Sequence, residues 1–344
     1  MTKRIKHIIL FMLFVAVAQL HTKAQDLHFS QYFQAPLLVN PANTGFNPDY
    51  DYRIAANHRN QWANVVTNPY VTSSVWGDVQ LFTNKFENSW VGLGGAFFQD
   101  AAGTAGLKST RTYASIAYHQ VLGYSSLLSI GFSAGWVNKR IDFSKLTFDN
   151  QWNGRFFDIN QPSNEVFATN QVNYADINVG VNYGWFISEK AYLNLGVSMQ
   201  HVNRPFESFF GVSSTVDQRV ANRFNFFANA NFKIGNEWIL NPNVYVSTMR
   251  QATEWVVGMN ANRNLSDDGY QQLIFGMYYR HTDAIIPMVG YQINDLKLIF
   301  NYDVTVSALS AANARRGAYE MSIIKNGIFP SANGKNVKCP TIKF

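Results

Sequence analysis

Residues 171–186 read QVNYADINVGVNYGWF, and the fold turns on this stretch. Ala175, Ile177, Val179, Val181, Tyr183 and Trp185 share one parity, while Asp176, Asn178, Gly180, Asn182 and Gly184 share the other. Side chains alternate faces along an extended chain, so the segment is a strand with one apolar and one polar face. RVANRFNFFANANFK repeats the pattern, with Val220, Phe224, Phe226, Ala228, Ala230 and Phe232 opposed to Arg223, Asn225, Asn229, Asn231 and Lys233. In LKLIFNYDVTVS, Leu296, Leu298, Phe300, Tyr302, Val304 and Val306 oppose Lys297, Asn301, Asp303 and Thr305. LLSIGFSAGW sets Leu128, Ile130, Phe132, Ala134 and Trp136 against Ser129, Gly131, Ser133 and Gly135.

Extending the count outward predicts strands over 51–63, 70–82, 89–101, 107–122, 126–140, 171–186, 191–203, 218–233, 237–249, 253–265, 270–281, 284–294, 296–306 and 316–326. The total is about 14, an even number, as in bacterial outer-membrane barrels. Many of these runs exceed the five or six residues usual in soluble sheets and are long enough to cross a bilayer at a tilt. A sandwich also has one apolar face, so the connections must discriminate. Links after even-numbered strands are tight, such as Gly123-Tyr124-Ser125, Ser188-Glu189-Lys190 and Asn294-Asp295, whereas odd-numbered strands are followed by the long segments 141–170, 204–217 and 307–315. Short turns on one rim and long loops on the other describe an outer-membrane barrel. An even strand count then places both termini on the short-turn, periplasmic rim. Only a closed sheet pairs every backbone amide inside lipid, and closure removes sticky edges. The fold expected is all-β: a transmembrane antiparallel barrel with a non-strand lead-in. Pro242 and Pro287 fall inside proposed strands and remove ladder donors there, so the reading expects either shifted boundaries or bulges.

The chain begins with Lys3, Arg4 and Lys6, an apolar run from Ile8 to Leu20, and Thr22-Lys23-Ala24 with small residues where a signal peptidase reads. The run is shorter than the ~20 residues of a spanning helix, so residues 1–24 read as a cleavable secretory signal. No cysteine stands at the cleavage point, which disfavours a lipid anchor. The single cysteine, Cys339, leaves no disulfide to form within the chain. Charged residues are 15% and aromatics 15% of the 344 residues, the former well below the usual quarter. The net charge of +6 is carried by scattered Lys and Arg, which argues for a solvated surface and against nucleic acid. The expected divisions are 1–24 signal, 25–50 lead-in or plug, 51–328 barrel and 329–344 periplasmic tail.

No catalytic site emerges. Gly131-Phe132-Ser133-Ala134-Gly135 spells the letters of a nucleophile elbow, but it alternates faces like its neighbours and lacks a strand-to-helix turn. Gly92-Leu93-Gly94-Gly95 invites a phosphate-loop reading, yet in a strand these are small inward or bending positions. His58, His119, His201 and His281 lack metal-ligand spacing. No cofactor and no metal is expected. The segment 142–170 differs: it places Phe148, Trp152, Phe156 and Phe157 beside Asp149, Arg155 and Asp158. Long loops are usually functional or disordered, and aromatic and Arg residues anchor interfaces. Phe148, Asp149, Trp152, Arg155, Phe156 and Phe157 are therefore candidates to bind a partner. The other reading folds this loop into the barrel as a plug.

Behind the signal, QDLHFSQYFQAPLLVNPANTGFNPDY (residues 25–50) is neither helix nor strand, with Pro36, Pro41 and Pro48 restricting φ. Gln31-Tyr32-Phe33, the run Pro36-Leu37-Leu38-Val39-Asn40-Pro41-Ala42-Asn43-Thr44-Gly45, the following Tyr52-Arg53 and Asn57-His58-Arg59-Asn60-Gln61-Trp62, and the closing Tyr319-Glu320 and Lys338-Cys339-Pro340 together resemble the PorP/SprF family. These are outer-membrane proteins of the Bacteroidetes type IX secretion system, and the resemblance spans essentially the whole mature chain. The tail departs, ending CPTIKF where the family has a shorter CPRF-like end. The resemblance implies a barrel that secretes or attaches a cell-surface cargo, such as a gliding adhesin with a type B C-terminal domain. It also implies contact with other secretion components. Read physically, the lead-in motif of Pro36, Asn40, Pro41, Ala42, Thr44 and Gly45 is a fixed plug or docking piece on the periplasmic side of strand one, with Leu37, Leu38 and Val39 buried against the barrel mouth or lumen. The rival from another class is a passive channel or an apolar-solute transporter, as in fatty-acid uptake porins. Outer-membrane lipid is the expected surrounding.

Overall fold

The computed structural model describes residues 27–330, except 28, 48, 49, 84, 87, 104, 105, 124, 159, 212–216, 267 and 268. Fourteen antiparallel strands close into one barrel: β1 (Tyr52–Gln61), β2 (Tyr70–Leu81), β3 (Ser89–Ala102), β4 (Leu107–Leu122), β5 (Ser126–Arg140), β6 (Gln171–Ser188), β7 (Ala191–Gln200), β8 (Arg223–Ile234), β9 (Trp238–Met249), β10 (Ala252–Asn264), β11 (Gln271–Arg280), β12 (Ala284–Ile293), β13 (Leu296–Thr305) and β14 (Arg316–Gly327). Each strand pairs with its sequence neighbours, and β1 closes on β14 from Tyr52↔Gly327 to Gln61↔Ala318. No helix among the described residues is long and apolar enough to cross a membrane; the strands do the crossing.

The parity rule holds in the barrel. Along β6, even-numbered residues from Val172 to Phe186 face the lumen and are buried, while odd-numbered residues present Val179, Val181, Tyr183 and Trp185 outward. Outward Trp and Tyr gather in two bands. Trp136, Trp255, Tyr279 and Tyr302 sit near the rim of the long loops, and Tyr118, Tyr183, Trp185 and Tyr291 near the rim of the short turns. Such rings mark the two interfaces of a membrane barrel, where amphipathic aromatics meet headgroups.

Two expectations need correction. Pro242 and Pro287 lie inside β9 and β12 without bulges or moved boundaries. The β8–β9 ladder skips from Asn229↔Asn243 to Phe232↔Leu240, and the β12–β13 ladder from Ile285↔Val304 to Met288↔Asn301, with register kept on both sides. A missing N–H therefore costs pairing on one side only, while the other neighbour still pairs with the proline. Residues 201–203 and 218–222 also lie outside the strands, the former still held to β6 through the Val202 N–H to Ile177 O bond at 2.9 Å. His201 turns the chain with φ +57, and the returning segment pairs with the outgoing one above the rim, through the Phe206↔Arg219 bridge and the Val220 N–H to Pro205 O bond.

The lumen is filled. Residues 29–46 run through it as two 3-10 turns, Tyr32–Gln34 and Pro41–Asn43, flanking a single α-helical turn, Pro36–Val39. Val39 and Tyr32 pack with Phe227, Tyr245 and Ile286 on one side, and Leu37 and Ala35 with Ala55, Trp76 and Phe98 on the other. This segment, rather than the 142–170 loop, occupies the interior.

Candidate functional site

The lumenal segment is held at both ends and in the middle. Near the short-turn rim, Asp51 continues the strand ladder, its N–H bonded to Gly327 O at 2.8 Å and its carbonyl accepting from Gln80 N at 2.7 Å. The Gly45 N–H donates to Asp78 Oδ2 at 2.8 Å, and Asp78 also pairs with Arg53. The Gly45 carbonyl accepts from Gln80 Nε2 at 2.9 Å and Trp90 Nε1 at 3.0 Å. Gly45 itself has φ +66, a conformation that favours glycine. Thr44 Oγ1 lies 2.9 Å from Ser115 Oγ, and its carbonyl accepts from His119 Nε2 at 2.8 Å. Since that carbonyl needs a donor, His119 carries its proton on Nε2, and Nδ1 accepts from Ser129 Oγ at 2.7 Å.

Asn40 anchors the middle. It precedes proline and is extended, at φ −155 and ψ 122, as the residue before proline prefers. Its Oδ1 caps the next turn by accepting from Ala42 N at 2.8 Å, and its Nδ2 donates to the carbonyls of Val181 at 3.0 Å and Val197 at 3.2 Å. The barrel wall leaves room for this contact. A Cβ at Gly180 would collide with Asn40 Oδ1, and one at Gly131 would collide with the Pro41–Ala42 backbone. Pro36, Pro41, Ala42 and Thr44 thus sit within the lumen, Ala42 and Thr44 fully buried.

The far end lies high in the lumen, beside the long-loop rim. Glu320 accepts the N–H groups of Ser30 at 2.6 Å and Gln31 at 3.0 Å. Ser30 Oγ donates to Asp303 Oδ2 at 2.7 Å and accepts from Arg280 at 2.8 Å and from Arg59. Arg59 pairs with Glu320 and Asp303, and Arg280 with Asp303 at 2.6 Å. Arg280 also reaches Asp283 at 2.7 Å, so two arginines and three carboxylates make a cluster that grips the plug through Ser30 and Gln31. Leu27 O accepts from Arg223 at 2.9 Å, and Arg223 opens β8 at that same rim. The first described residue therefore stands beside the long loops, and the segment runs the whole barrel height down to Asp51. The segment thus extends beyond the short-turn side, held at its far end by Glu320, Asp303, Arg59 and Arg280. Residues 1–26 and 331–344, with Cys339, lie outside the described residues, as does Pro48.

Above the long-loop rim, the 141–170 loop packs on the 201–222 loop. Phe143 stacks on Phe167 with centroids 3.8 Å apart, Phe167 contacts Phe210 at 5.1 Å, and the half-buried Phe148 lies 5.8 Å from Phe167. The Ala168 N–H bonds to Phe209 O at 3.0 Å. Buried Gln151 braces the loop from inside, donating to Gln161 O at 3.0 Å. From this base projects a small hairpin closed by the Trp152↔Phe157 bridge. Trp152, Phe156 and Phe157 are 49%, 59% and 48% exposed, and Asp149 and Arg155 are exposed beside them. The structure brings together five of the six loop candidates at this tip and places Phe148 in its base.

Sequence reasoning passed over Arg59, His119, Arg280, Asp303 and Glu320 as site residues. Each stands alone on its strand; barrel closure brings Arg59, Arg280, Asp303 and Glu320 together on Ser30, while His119 meets Thr44 lower in the lumen. One signal was available: a charge on the inward parity of a strand must find a partner or water. Among the described residues, no group of His, Cys, Asp and Glu could hold a metal ion.

Solved barrels of this shape exist. The CymD monoaromatic hydrocarbon channel matches with TM-score 0.51 and 9% identity, over 86% of this chain and 93% of its own. A Pseudomonas aeruginosa FadL homologue matches with TM-score 0.51 and 8% identity, over 83% and 92%. The Pseudomonas putida toluene transporter TodX matches with TM-score 0.50 and 9% identity, over 87% and 93%. At such identities the likeness concerns the barrel fold alone. Among curated proteins, none matches the chain. The model of one family covers residues 21–324, in agreement with the Asn40-Pro41-Ala42 plug motif and the closed barrel around it, and the chain therefore belongs to PorP/SprF, the type IX secretion system membrane proteins.

Proposed function

We propose that this outer-membrane barrel of the type IX secretion system binds a specific secreted cargo at its long-loop rim and helps to secrete it or hold it on the cell surface. A gliding adhesin of a Bacteroidetes cell, carrying a type B C-terminal domain, is the kind of cargo that fits. The observation carrying this reading is the Trp152–Phe157 hairpin, a cluster of exposed aromatics with Arg155 on a braced base. Large aromatic side chains left in water beside an arginine are the composition of interface hot spots. In this orientation the long loops face outward, and the short turns face the periplasm and the other secretion components.

The experiment replaces Trp152, Phe156 and Phe157 together by Ser, or deletes residues 145–165, and measures surface-retained cargo by antibody labelling of intact cells. Cargo should be lost while the barrel still shows heat-modifiable migration on a gel. Cargo retained at its normal level on a folded barrel would sink the proposal. Residues 29–46 in the lumen support this reading over the passive-channel rival: in planar bilayers the intact protein should pass little current.

A further inference from the structure

Below the plug, the lumen opens at the short-turn rim into a vestibule of about 600 Å³, whose inner end is formed by Phe33, Pro36 and Phe46. A recess of about 170 Å³ continues upward beside the plug. The vestibule wall is dominated by carboxamides, among them Asn194, Asn241, Asn262, Gln272, Gln292 and Asn326, interrupted by an apolar strip of Ile239, Ile274, Ile299 and Ile324. Each carboxamide offers a donor and an acceptor side by side, the same pair that a peptide unit presents. Two cations line the space, Arg53 and Lys297. Arg53 is taken by Asp78, and Asp295 at the rim is taken by Lys325 at 3.6 Å. Lys297 points inward from β13, between Leu296 and the buried Ile299 strip, and no carboxylate among the described residues pairs with it.

These features select among occupants. Sugars are held largely by stacking on open aromatic faces, but here the rings set deepest in the vestibule are already covered, and Tyr270 stands exposed only at its rim. Trp76 carries the Arg53 guanidinium at 5.3 Å, Tyr192 stacks on Phe186 at 4.8 Å, and Phe33 stacks on Tyr278 at 5.2 Å. A purely apolar solute would leave unpaired the buried Oδ1 atoms of Asn194, Asn229, Asn260 and Asn326, which have no hydrogen-bond partner among the described residues. Nucleic acid would need more than one free cation. We propose that the vestibule receives an extended, acid-bearing peptide segment of a periplasmic partner protein, with the Lys297 ammonium on its carboxylate, the Asn and Gln side chains on its backbone amides, and the isoleucine strip under an apolar side chain. The site uses the orientation inferred above but is independent of cargo binding at the opposite rim.

The test uses the full-length protein in detergent and fluorescent acetylated hexapeptides of Ser, Thr and Val ending either in Asp as the free acid or in Asn as the amide. Fluorescence anisotropy should show the acid binding about tenfold more tightly, the scale of one charge-assisted hydrogen bond. Lys297→Met should abolish that preference, whereas Lys325→Met at the same rim should leave it unchanged. Failure of either peptide to bind, or a preference that survives Lys297→Met, would overturn the proposal. In cells, a photo-crosslinking residue at Gln292 should yield adducts that map to an acid-bearing segment of a periplasmic protein and disappear with Lys297→Met. Adducts confined to residues 331–344 of this chain, or to peptidoglycan, would overturn it as well. Because cargo retention is read separately, failure here leaves the outer-rim reading standing.

Discussion

Asn40 satisfies three backbone groups with one carboxamide: its own turn through Ala42, and two strand carbonyls through Val181 and Val197. Truncating it leaves buried backbone groups without partners, so Asn40→Ala should destabilise the protein by about 1–3 kcal/mol, read as a lower melting temperature in detergent. Gly180→Ala should also destabilise, for the opposite reason, since the new methyl collides with that carboxamide. The double variant should lose less than the sum of the two, because the truncated Asn40 vacates the space; strict additivity would argue against the contact. Arg59 makes a parallel case. Arg59→Met strands Glu320 and Asp303 against a single remaining arginine, with an expected loss of about 3–5 kcal/mol, and Arg59→Met with Glu320→Gln should recover part of it. The Asn40-Pro41 turn was legible in the chain because proline dictates the backbone of its neighbour. The partners of Asn40 were not, since Val181 and Val197 lie 141 and 157 residues away.

At the scale of elements, alternation proved a sound guide to strands and a poor guide to their ends. Alternation continues over 218–222, yet those residues pair with 205–207 above the rim rather than with the barrel. Local periodicity registers extension without naming the partner strand. The same limit explains the prolines, whose missing donor is absorbed by a one-sided gap in the ladder. The 201–222 loop supports a prediction about pH. The Arg219 backbone N–H, then the Arg204 guanidinium, hold the Asp217 carboxyl below its usual range. A depressed carboxylate contributes above its unfolded value and loses that contribution as pH falls through the folded value. Protease protection of this loop should therefore be constant from neutral pH down to about 4, and Asp217→Asn should flatten whatever loss appears below that. The aromatic hairpin was legible in composition, as Trp152, Phe156, Phe157 and Arg155 cluster within a few residues; that it projects outward on a Phe143, Phe167 and Phe210 base depends on a second loop.

For the whole molecule, the plug decides what the barrel can conduct. Replacing residues 29–46 by a Gly-Ser linker removes the turns that cross the lumen, so single-channel conductance should rise from near zero to a steady open level, with the strands still formed by circular dichroism. An unchanged current would mean that another segment closes the pore. The all-β class, the strand count, the parity of each strand, the asymmetry of the rims and the family are all written in local periodicity, link length and short motifs, and were legible without any partner strand. Tertiary structure alone decided that residues 29–46 thread the lumen from the long-loop rim to the short-turn rim, and that Arg59, Arg280, Asp303 and Glu320 meet on Ser30. The physical reason is closure. Ser30 and Glu320 are 290 positions apart, and only when β14 pairs with β1 does the chain gain an inside on which such distant side chains converge.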